Sequence, residues 1–285
     1  MKNVAIVVDS SCGLTKEQAQ LKGWFYLPLN IEIDQHNYLD GINLTSQNLF
    51  EKFSKDSKGA KTSSTNIGYA LDLLKELSNK FEYVVVFPIS KYLSGQNKNL
   101  SNFAREFTNV YVIESLFVAQ LISLKAMEFM NLINSGTSVK EAIKIIENWD
   151  ERVSVSLMPK YNDFLVKGGR LTPSAAAIAN LFKIVPIIKF ENGKLEKEGK
   201  GRVFSKTVFN VIDQKFENSS SDENELIILH SQNSEINSYV EYAKQKYNLN
   251  ASLSIIPPVI SIHTGPEAVV VIKYPKLTKQ QKELF

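Results

Sequence analysis

Segments rich in serine and threonine follow the predicted strands in the first half of the chain, and these residues are the best suited to binding a small anion. They are Asp9-Ser10-Ser11, residues 61–65, residues 90–94, and Ser115. In an open parallel sheet, ligands bind beyond the carboxyl ends of the strands, where helix N-termini direct free N–H groups outward. Any one segment is explained more simply as a helix cap, because Ser and Thr are preferred there. Several of them at one sheet edge favour a shared anion site built from hydroxyl and backbone N–H donors.

Two glycine-containing motifs in the second half also present polar side chains. His263-Thr264-Gly265-Pro266 lies between two apolar predicted strands and combines an imidazole, a hydroxyl and a turn that fixes them. Lys167-Gly168-Gly169-Arg170 presents two cations where glycines would stop a helix. Taken alone, a histidine beside a turn is more often structural than functional. The second motif is equally consistent with a helix C-cap and a solvated arginine.

The sequence lacks the patterns of several common catalytic and metal sites. Lys61-Thr62 follows Ala60, whereas a phosphate-binding loop of nucleotide-binding proteins requires glycine before the lysine. Gly13 stands alone after the first strand, so the dinucleotide-binding fingerprint is absent, and there is no G-x-S-x-G nucleophile motif. The three histidines show no metal-binding spacing, and Cys12, the single cysteine, has no evident partner base. We therefore expect no metal and no cofactor.

The first half of the chain alternates strands with helices. Thr15 with Gln18, and Ser138 with Glu141, have the spacing of helix-capping pairs. Unbroken β-branched runs are typical of strands covered on both faces. Such runs occur at residues 4–8, 83–87 and 110–113. Strands that alternate with helices in this way predict a parallel sheet of the Rossmann-like type.

The second half is predicted to mix hairpins and helices. Asn192-Gly193 separates two extended runs, and this dipeptide is a strong hairpin signal because both residues tolerate a positive φ. A helix with Ile236, Tyr239, Val240 and Ala243 on one face lies between further strands. We therefore predict an α/β protein of two domains: a Rossmann-like domain with a parallel sheet at residues 1–155, and an α+β domain with a mixed sheet at residues 156–285.

Composition and charge exclude several classes of protein. The 285 residues include 33 Lys and Arg against 30 Asp and Glu, a net charge of +3, and no run of like charges suggests nucleic-acid binding. A single cysteine fits a reducing compartment. Residues 1–9 are better explained as a first strand than as a signal peptide, and no apolar run approaches the roughly 20 residues of a membrane span. We expect a soluble cytoplasmic protein.

Taken in order, the short motifs of this chain resemble the DegV family of fatty-acid-binding proteins, the lipid-carrying subunits of bacterial fatty-acid kinases. The resemblance covers nearly the whole chain, and seven individually weak motifs in the right order make it specific. They are Asp9-Ser10-Ser11, Lys61-Thr62-Ser63, Leu93-Ser94-Gly95, Val112-Ile113-Glu114-Ser115, Lys167-Gly168-Gly169-Arg170-Leu171, Pro186-Ile187-Ile188 and His263-Thr264-Gly265-Pro266.

The resemblance implies that the two domains hold one long-chain fatty acid between them, such as palmitate, stearate or oleate. By motif position, the carboxylate would be bound by Thr62, Ser94 and His263. The resemblance also implies supporting residues at the polar end and a face that meets the ATP-binding kinase subunit. The supporting residues are Ser63, Gly95 and Thr264, and the partner-facing residues are Arg170 and Arg202.

The chain departs from the usual family pattern at several positions. Gln96 and Asn97 stand where a Thr and an aromatic residue usually follow Leu-Ser-Gly, and Glu267 replaces a Gly after His-Thr-Gly-Pro. Val185 removes a usual lysine, and Glu114 lengthens a usual aspartate. We expect Glu267 to repel the ligand or to raise the pKa of a carboxylic acid in the pocket.

The resulting hypothesis is a carrier without catalytic residues of its own, which presents the carboxylate of its fatty acid to a separate kinase subunit for acyl-phosphate formation. The alternative is a stand-alone enzyme that acts on a small anionic substrate with His263 as general base. Turnover by the protein alone, lost in His263→Ala, would distinguish the alternative from the carrier.

Overall fold

The computed structural model describes residues 3–169 and 184–285, and these residues pack as two compact units. The first unit comprises Met1–Thr45, Thr62–Trp149 and Pro257–Val259. The second comprises Ser46–Lys61, Asp150–Ile256 and Ile260–Phe285. A boundary between independently folding domains at residue 155 stays a prediction.

A parallel four-stranded sheet forms the centre of the first unit. Its strands are β1 (Val4–Asp9), β2 (Phe25–Leu27), β6 (Tyr83–Phe87) and β7 (Val110–Val112). Their order is β2-β1-β6-β7, and every neighbouring pair is parallel. The predicted Rossmann-like sheet is therefore confirmed.

Helices cover both faces of this sheet, as the unbroken apolar strands predict. The helices are α1 (Lys16–Leu21), α3 (Ile67–Lys80), α4 (Gln96–Ala104), α5 (Gln120–Asn134) and α6 (Val139–Ile146). On one face, Val7 and Val86 form a buried cluster with Leu74 of α3 and Leu100 of α4. On the other, the Phe87 ring lies edge-on to Phe129 of α5, with the ring centroids 5.6 Å apart. The predicted caps at Thr15 and Ser138 are both present.

A second, three-stranded sheet was missed by the sequence analysis. It has the order β4-β3-β5, with β3 at Asn30–Ile33, β4 at His36–Leu39 and β5 at Ala60–Ser63. The hairpin of β3 and β4 turns through Asp34 and Gln35, whose φ angles are 47° and 69°. Since neither residue is a glycine, the turn lacked the signal that marks such hairpins in sequence.

The second unit contains a mixed six-stranded sheet, as predicted. Its strands are β8 (Ser154–Met158), β9 (Val185–Glu191), β10 (Lys194–Gly201), β11 (Asn224–His230), β12 (Ser252–Ile255) and β13 (Val269–Pro275). The order is β10-β9-β8-β13-β11-β12, and only the pair β11–β12 is parallel among the described strands of this sheet. The β9–β10 hairpin turns through Asn192-Gly193, whose φ angles are 50° and 79°.

Two long helices pack on this sheet and enclose its core. The helices described after α6 are α7 (Asn162–Lys167), α8 (Phe204–Phe216), α9 (Ile236–Tyr247), α10 (Pro258–Thr264) and α11 (Lys279–Lys282). Helix α2 (Leu49–Lys52) lies earlier in the chain. Val211 of α8 and Tyr239 of α9 share one buried cluster with Ile228 and Val271. Lys167 Nζ donates to the Ser54 carbonyl at 3.2 Å, which ties residues 46–61 to the rest of this unit.

We expect Gly193→Ala to destabilise the second unit, because φ at this turn position is 79°. A left-handed conformation costs an L-residue about 1–2 kcal/mol. The matched control is Gly199→Ala in the same hairpin, whose added Cβ meets nothing nearer than Ile187 Cδ1 at 3.5 Å. Urea unfolding followed by circular dichroism measures both free energies, and equal losses would contradict the turn assignment.

Candidate functional site

Thr62 and Ser63 are the last two residues of strand β5, so residues 61–65 are not the continuous loop that the sequence analysis predicted. The side chain of Thr62 is half-buried, and Ser63 is exposed. Helix α3 begins four residues after Ser63, and its N-cap Asn66 accepts a hydrogen bond from the Tyr69 N–H at 3.2 Å. Thr62 therefore lies on the strand side of a short strand-to-helix connection.

Ser94 and Gly95 lead into helix α4, as predicted. The Ser94 hydroxyl oxygen accepts a hydrogen bond from the Gln96 N–H at 3.2 Å. Gly95 is the N-cap, is exposed, and has no side chain to satisfy the free N–H groups of the first turn. A Cβ added at Gly95 would meet no described atom within 4 Å.

Asp9, at the end of β1, is a fully buried carboxyl group that organises this edge of the sheet. It accepts hydrogen bonds from the Ser11 hydroxyl at 2.5 Å, the Ser11 N–H at 3.1 Å and the Ile89 N–H at 2.7 Å. Burial raises its pKa to about 6, although these hydrogen bonds act to lower it. The motif Asp9-Ser10-Ser11 thus has a structural role, because it joins the end of β1 to the residues after β6.

Asp40 is a second fully buried carboxyl group in the first unit, and the sequence analysis missed it. Burial raises its pKa to about 8, and the nearby charge of Asp9 acts in the same direction. The Ser10 hydroxyl and the backbone of Gly41 and Val259 act against this rise, but no described donor meets hydrogen-bond geometry with either carboxyl oxygen. The pair Asp9 and Asp40 is therefore expected to retain a proton near neutral pH.

Cys12 is not an activated nucleophile. The thiol is completely buried in the first unit, and burial raises its pKa to about 12. The thiolate is therefore scarce near neutral pH, and the interpretation of Cys12 as a small packed residue is supported.

His263 and Thr264 are the last residues of helix α10, so the motif lies between strands β12 and β13 as predicted, but it begins within a helix that the sequence did not predict. The helix ends at Gly265, whose φ is 78°. His263 is 9 % exposed, and its Nδ1 lies 3.0 Å from the Gly168 carbonyl oxygen. Because a carbonyl oxygen only accepts, Nδ1 carries the hydrogen, and Nε2 is the acceptor nitrogen of the neutral ring.

Glycines allow the close approaches around this histidine. A Cβ at Gly168 would lie 2.5 Å from His263 Nδ1 and 3.1 Å from His263 Cα. A Cβ at Gly265 would lie 2.8 Å from the Phe164 ring. The glycines at positions 168 and 265 are thus required by packing, in addition to the helix end predicted at Gly168 and the turn predicted at Gly265.

Thr264 is buried, and its hydroxyl oxygen has no partner among the described residues. Buried hydroxyl groups are normally hydrogen-bonded, so an unpaired one next to a candidate binding residue is consistent with a ligand contact.

The negative charge of Glu267 is paired within the second unit, and its expected effect on a ligand stays a prediction. Its carboxylate forms an ion pair with Lys160 at 2.9 Å and accepts hydrogen bonds from the Ser234 N–H at 3.2 Å and the Ser234 hydroxyl at 3.1 Å. Burial acts to raise the pKa of Glu267, but these contacts outweigh it and the pKa lies below its ordinary value. The φ of 62° at this position lies in the left-handed region that favours glycine.

Of the two residues predicted to face a partner, Arg202 is among the described residues and Arg170 is not. Arg202 follows strand β10 and is exposed. Arg170 lies outside the described residues, as does Leu171 of the same motif. The assignment of both arginines to a partner surface stays a prediction.

Within residues 3–169 and 184–285, no cluster of three or more His, Cys, Asp or Glu side chains is arranged to hold a metal ion. No helix in these residues has the length and apolar character needed to cross a membrane.

Comparison with known proteins decides the family. A family profile described as "Uncharacterised protein, DegV family" matches residues 3–276. The chain belongs to the DegV family. A DegV domain-containing protein of Mycoplasmopsis pulmonis is 45% identical over 284 residues, which are 99% of this chain and 97% of that protein.

Solved structures of DegV proteins share the fold of this chain. Bacillus subtilis DegV, described as a fatty acid binding protein, has a TM-score of 0.80 at 23% identity over 97% of this chain and 100% of its own. A stearic acid-binding protein of Eubacterium ventriosum has a TM-score of 0.79 at 20% identity, with 100% of both chains covered. Since these identities are low, the likeness establishes the fold of the present DegV chain.

We expect Gly168→Ala to displace the imidazole of His263, because the added Cβ would lie 2.5 Å from Nδ1. The imidazole NMR signals of His263 should shift. Gly59→Ala is the control in the same unit, since a Cβ there meets no described atom within 4 Å. Unchanged His263 signals in Gly168→Ala would contradict the close approach.

We expect Asp40→Asn to flatten the pH dependence of stability of the first unit. The raised pKa of about 8 means that the folded protein keeps a proton which the unfolded chain, with an ordinary pKa of 3.8, releases. The stabilising contribution of protonated Asp40 is therefore complete below pH 3.8 and declines as the pH rises through about 8. Between pH 5 and pH 8, the wild type should lose up to about 4 kcal/mol of its free energy of unfolding through this group, at about 1.4 kcal/mol per pH unit, and the variant should not.

Chemical unfolding at pH 5 and pH 8 measures this difference. The exposed Asp56→Asn is the control, and it should not change the difference between the two pH values. A pH dependence in Asp40→Asn equal to that of the wild type would rule out a proton on Asp40.

Proposed function

We propose that this DegV protein binds one long-chain fatty acid. The observation that carries the proposal is its membership of the DegV family over residues 3–276, with the hydroxyl and histidine motifs retained in order. DegV relatives with the same fold are described as fatty acid binding proteins. The relatives with stearic acid and heptadecanoic acid suggest a saturated or long acyl chain as the ligand class.

Burial of the acyl chain supplies the affinity. A chain of ~15 methylenes gains up to roughly 12 kcal/mol at about 0.8 kcal/mol per buried CH₂. Association and ordering remove several kcal/mol of this gain. A buried carboxylate without hydrogen-bond donors would cancel the rest, so the head group requires hydroxyl and N–H donors around it.

The residues proposed to bind the carboxylate are Thr62 and Ser94, and the motif resemblance adds His263 as a further polar contact. The hydroxyl of the half-buried Thr62 and the first-turn N–H groups of α4 that Ser94 does not cap are suitable donors. The supporting residues Ser63, Gly95 and Thr264 are proposed at the same polar end. The unpaired, buried hydroxyl of Thr264 supports its inclusion.

The bound acid is a substrate presented to a separate ATP-binding kinase subunit. In that step a carboxylate oxygen attacks the γ-phosphorus of ATP, the acyl phosphate forms, and ADP leaves. The exposed Arg202 is available for contact with such a partner. The test is fatty-acid-dependent ADP formation when this protein is added to a fatty-acid kinase ATP-binding subunit, with no turnover by the protein alone. Turnover by the protein alone that disappears in His263→Ala would contradict the carrier role.

We expect native mass spectrometry of the purified protein to show one fatty acid per chain. Thr62→Val and Ser94→Ala should each weaken palmitate binding by about tenfold, the equivalent of one lost hydrogen bond to a charged group. Ser78→Ala is the control, because the Ser78 hydroxyl donates to the Lys75 carbonyl within α3, away from the proposed site. A purified protein without lipid that also takes up no added palmitate or oleate would defeat the proposal.

A further inference from the structure

Gln96 is a buried amide that connects two segments of the proposed carboxylate site. The residue is 1 % exposed at the start of α4, directly after Ser94 and Gly95. Its Oε1 accepts a hydrogen bond from the Thr65 N–H at 3.0 Å, and its Nε2 donates to the Thr65 hydroxyl oxygen at 2.8 Å. Both polar atoms of the side chain are therefore engaged by one residue, three positions after Thr62.

The neighbouring residue Ser64 is held by two further amides. Asn99, one turn along α4 from Gln96, donates from Nδ2 to the Ser64 hydroxyl oxygen at 3.0 Å. Asn30 of β3 donates from Nδ2 to the Ser64 carbonyl oxygen. The connection between β5 and α3 is thus fixed against α4 by a set of hydrogen bonds, of which those of Gln96 are the most buried.

The position of Gln96 is one at which the chain departs from the usual family pattern of Leu-Ser-Gly-Thr. A threonine side chain ends two bonds nearer to the backbone than a glutamine amide. It also offers a single hydroxyl, whereas the amide supplies a donor and an acceptor on separate atoms. The double contact with Thr65 is therefore a property that the glutamine brings to this chain.

We propose that Gln96 is a positioning residue that holds Thr62 in place for the carboxylate of the ligand. This inference rests on the proposed function, since it concerns the same site. A rigid connection between β5 and α3 reduces the entropy that the site loses when the carboxylate binds. Loss of the Gln96 contacts should weaken binding of the carboxylate and leave binding of the acyl chain unchanged, because Gln96 holds only the segment next to Thr62.

The test compares palmitate with hexadecanol. Hexadecanol has the same number of carbon atoms, with a hydroxyl group in place of the carboxylate. In Gln96→Leu, which keeps a similar side-chain volume, palmitate affinity should fall by about tenfold while hexadecanol affinity stays unchanged. Affinities are measured by displacement of a fluorescent fatty acid. An unchanged ratio of palmitate to hexadecanol affinity would overturn the inference.

Two further variants separate positioning from a general loss of stability. Thr65→Val removes the hydrogen bond to Nε2 and leaves the one to the backbone, so it should lower the affinity ratio by less than Gln96→Leu does. Asn97→Ala is the matched control, because Asn97 is a buried amide in the same turn whose Nδ2 donates to the Ile113 carbonyl at 2.7 Å. It should lower the melting temperature without changing the ratio, and a ratio reduced as much as in Gln96→Leu would overturn the inference.

The two proposals fail in different ways. If the wild-type protein binds neither palmitate nor hexadecanol, the proposed function is wrong, and this inference falls with it. If the wild type prefers palmitate and Gln96→Leu retains that preference in full, fatty-acid binding stands and the positioning role of Gln96 is wrong.

Discussion

The free-energy cost of removing polar groups from water is the constraint on which this structure depends. Asp9 shows it most clearly. Its carboxylate is completely buried, yet it accepts three hydrogen bonds that connect the end of β1 with Ser11 and with Ile89. An unpaired carboxylate at this depth would be strongly destabilising. The Asp9 side chain therefore fixes the backbone at Ser11 and Ile89, at the carboxyl edge of the parallel sheet.

In the second unit, the same constraint is met by close contact between glycine and histidine. The Gly168 carbonyl fixes the hydrogen on His263 Nδ1, and only a residue without a Cβ permits the approach. Glu267 then holds the residues after α10 through Lys160 and Ser234. Its positive φ is unfavourable for a non-glycine residue, and the ion pair together with the hydrogen bonds offsets this cost.

Much of the fold is predictable from local patterns. The apolar runs at 4–8 and 83–87, the caps at Thr15 and Ser138, and the Asn192-Gly193 turn all act over a few residues, so the sequence alone indicates them. The hairpin at Asp34 and Gln35 escaped prediction because its turn residues adopt a positive φ without a glycine to mark it.

The contacts that shape the candidate site are harder to predict because they join distant parts of the chain. The charge of Asp9 acts on the pKa of Asp40 across a separation of 31 residues, from 9 to 40. Lys160 neutralises Glu267 across a separation of 107 residues, and Gln96 reaches Thr65 across 31. No spacing rule connects such pairs. The sequence indicated that Glu267 and Gln96 were unusual, but their partners became visible only in three dimensions.

The interleaving of the two units along the chain has a consequence for recombination within the gene. Residues 46–61 belong to the second unit although they are flanked on both sides by the first, and Pro257–Val259 belong to the first although they are flanked by the second. No single break in the gene releases either unit whole. A break near residue 150 would leave the apolar clusters of both units intact, but it would remove Ser46–Lys61 from the second unit and Pro257–Val259 from the first.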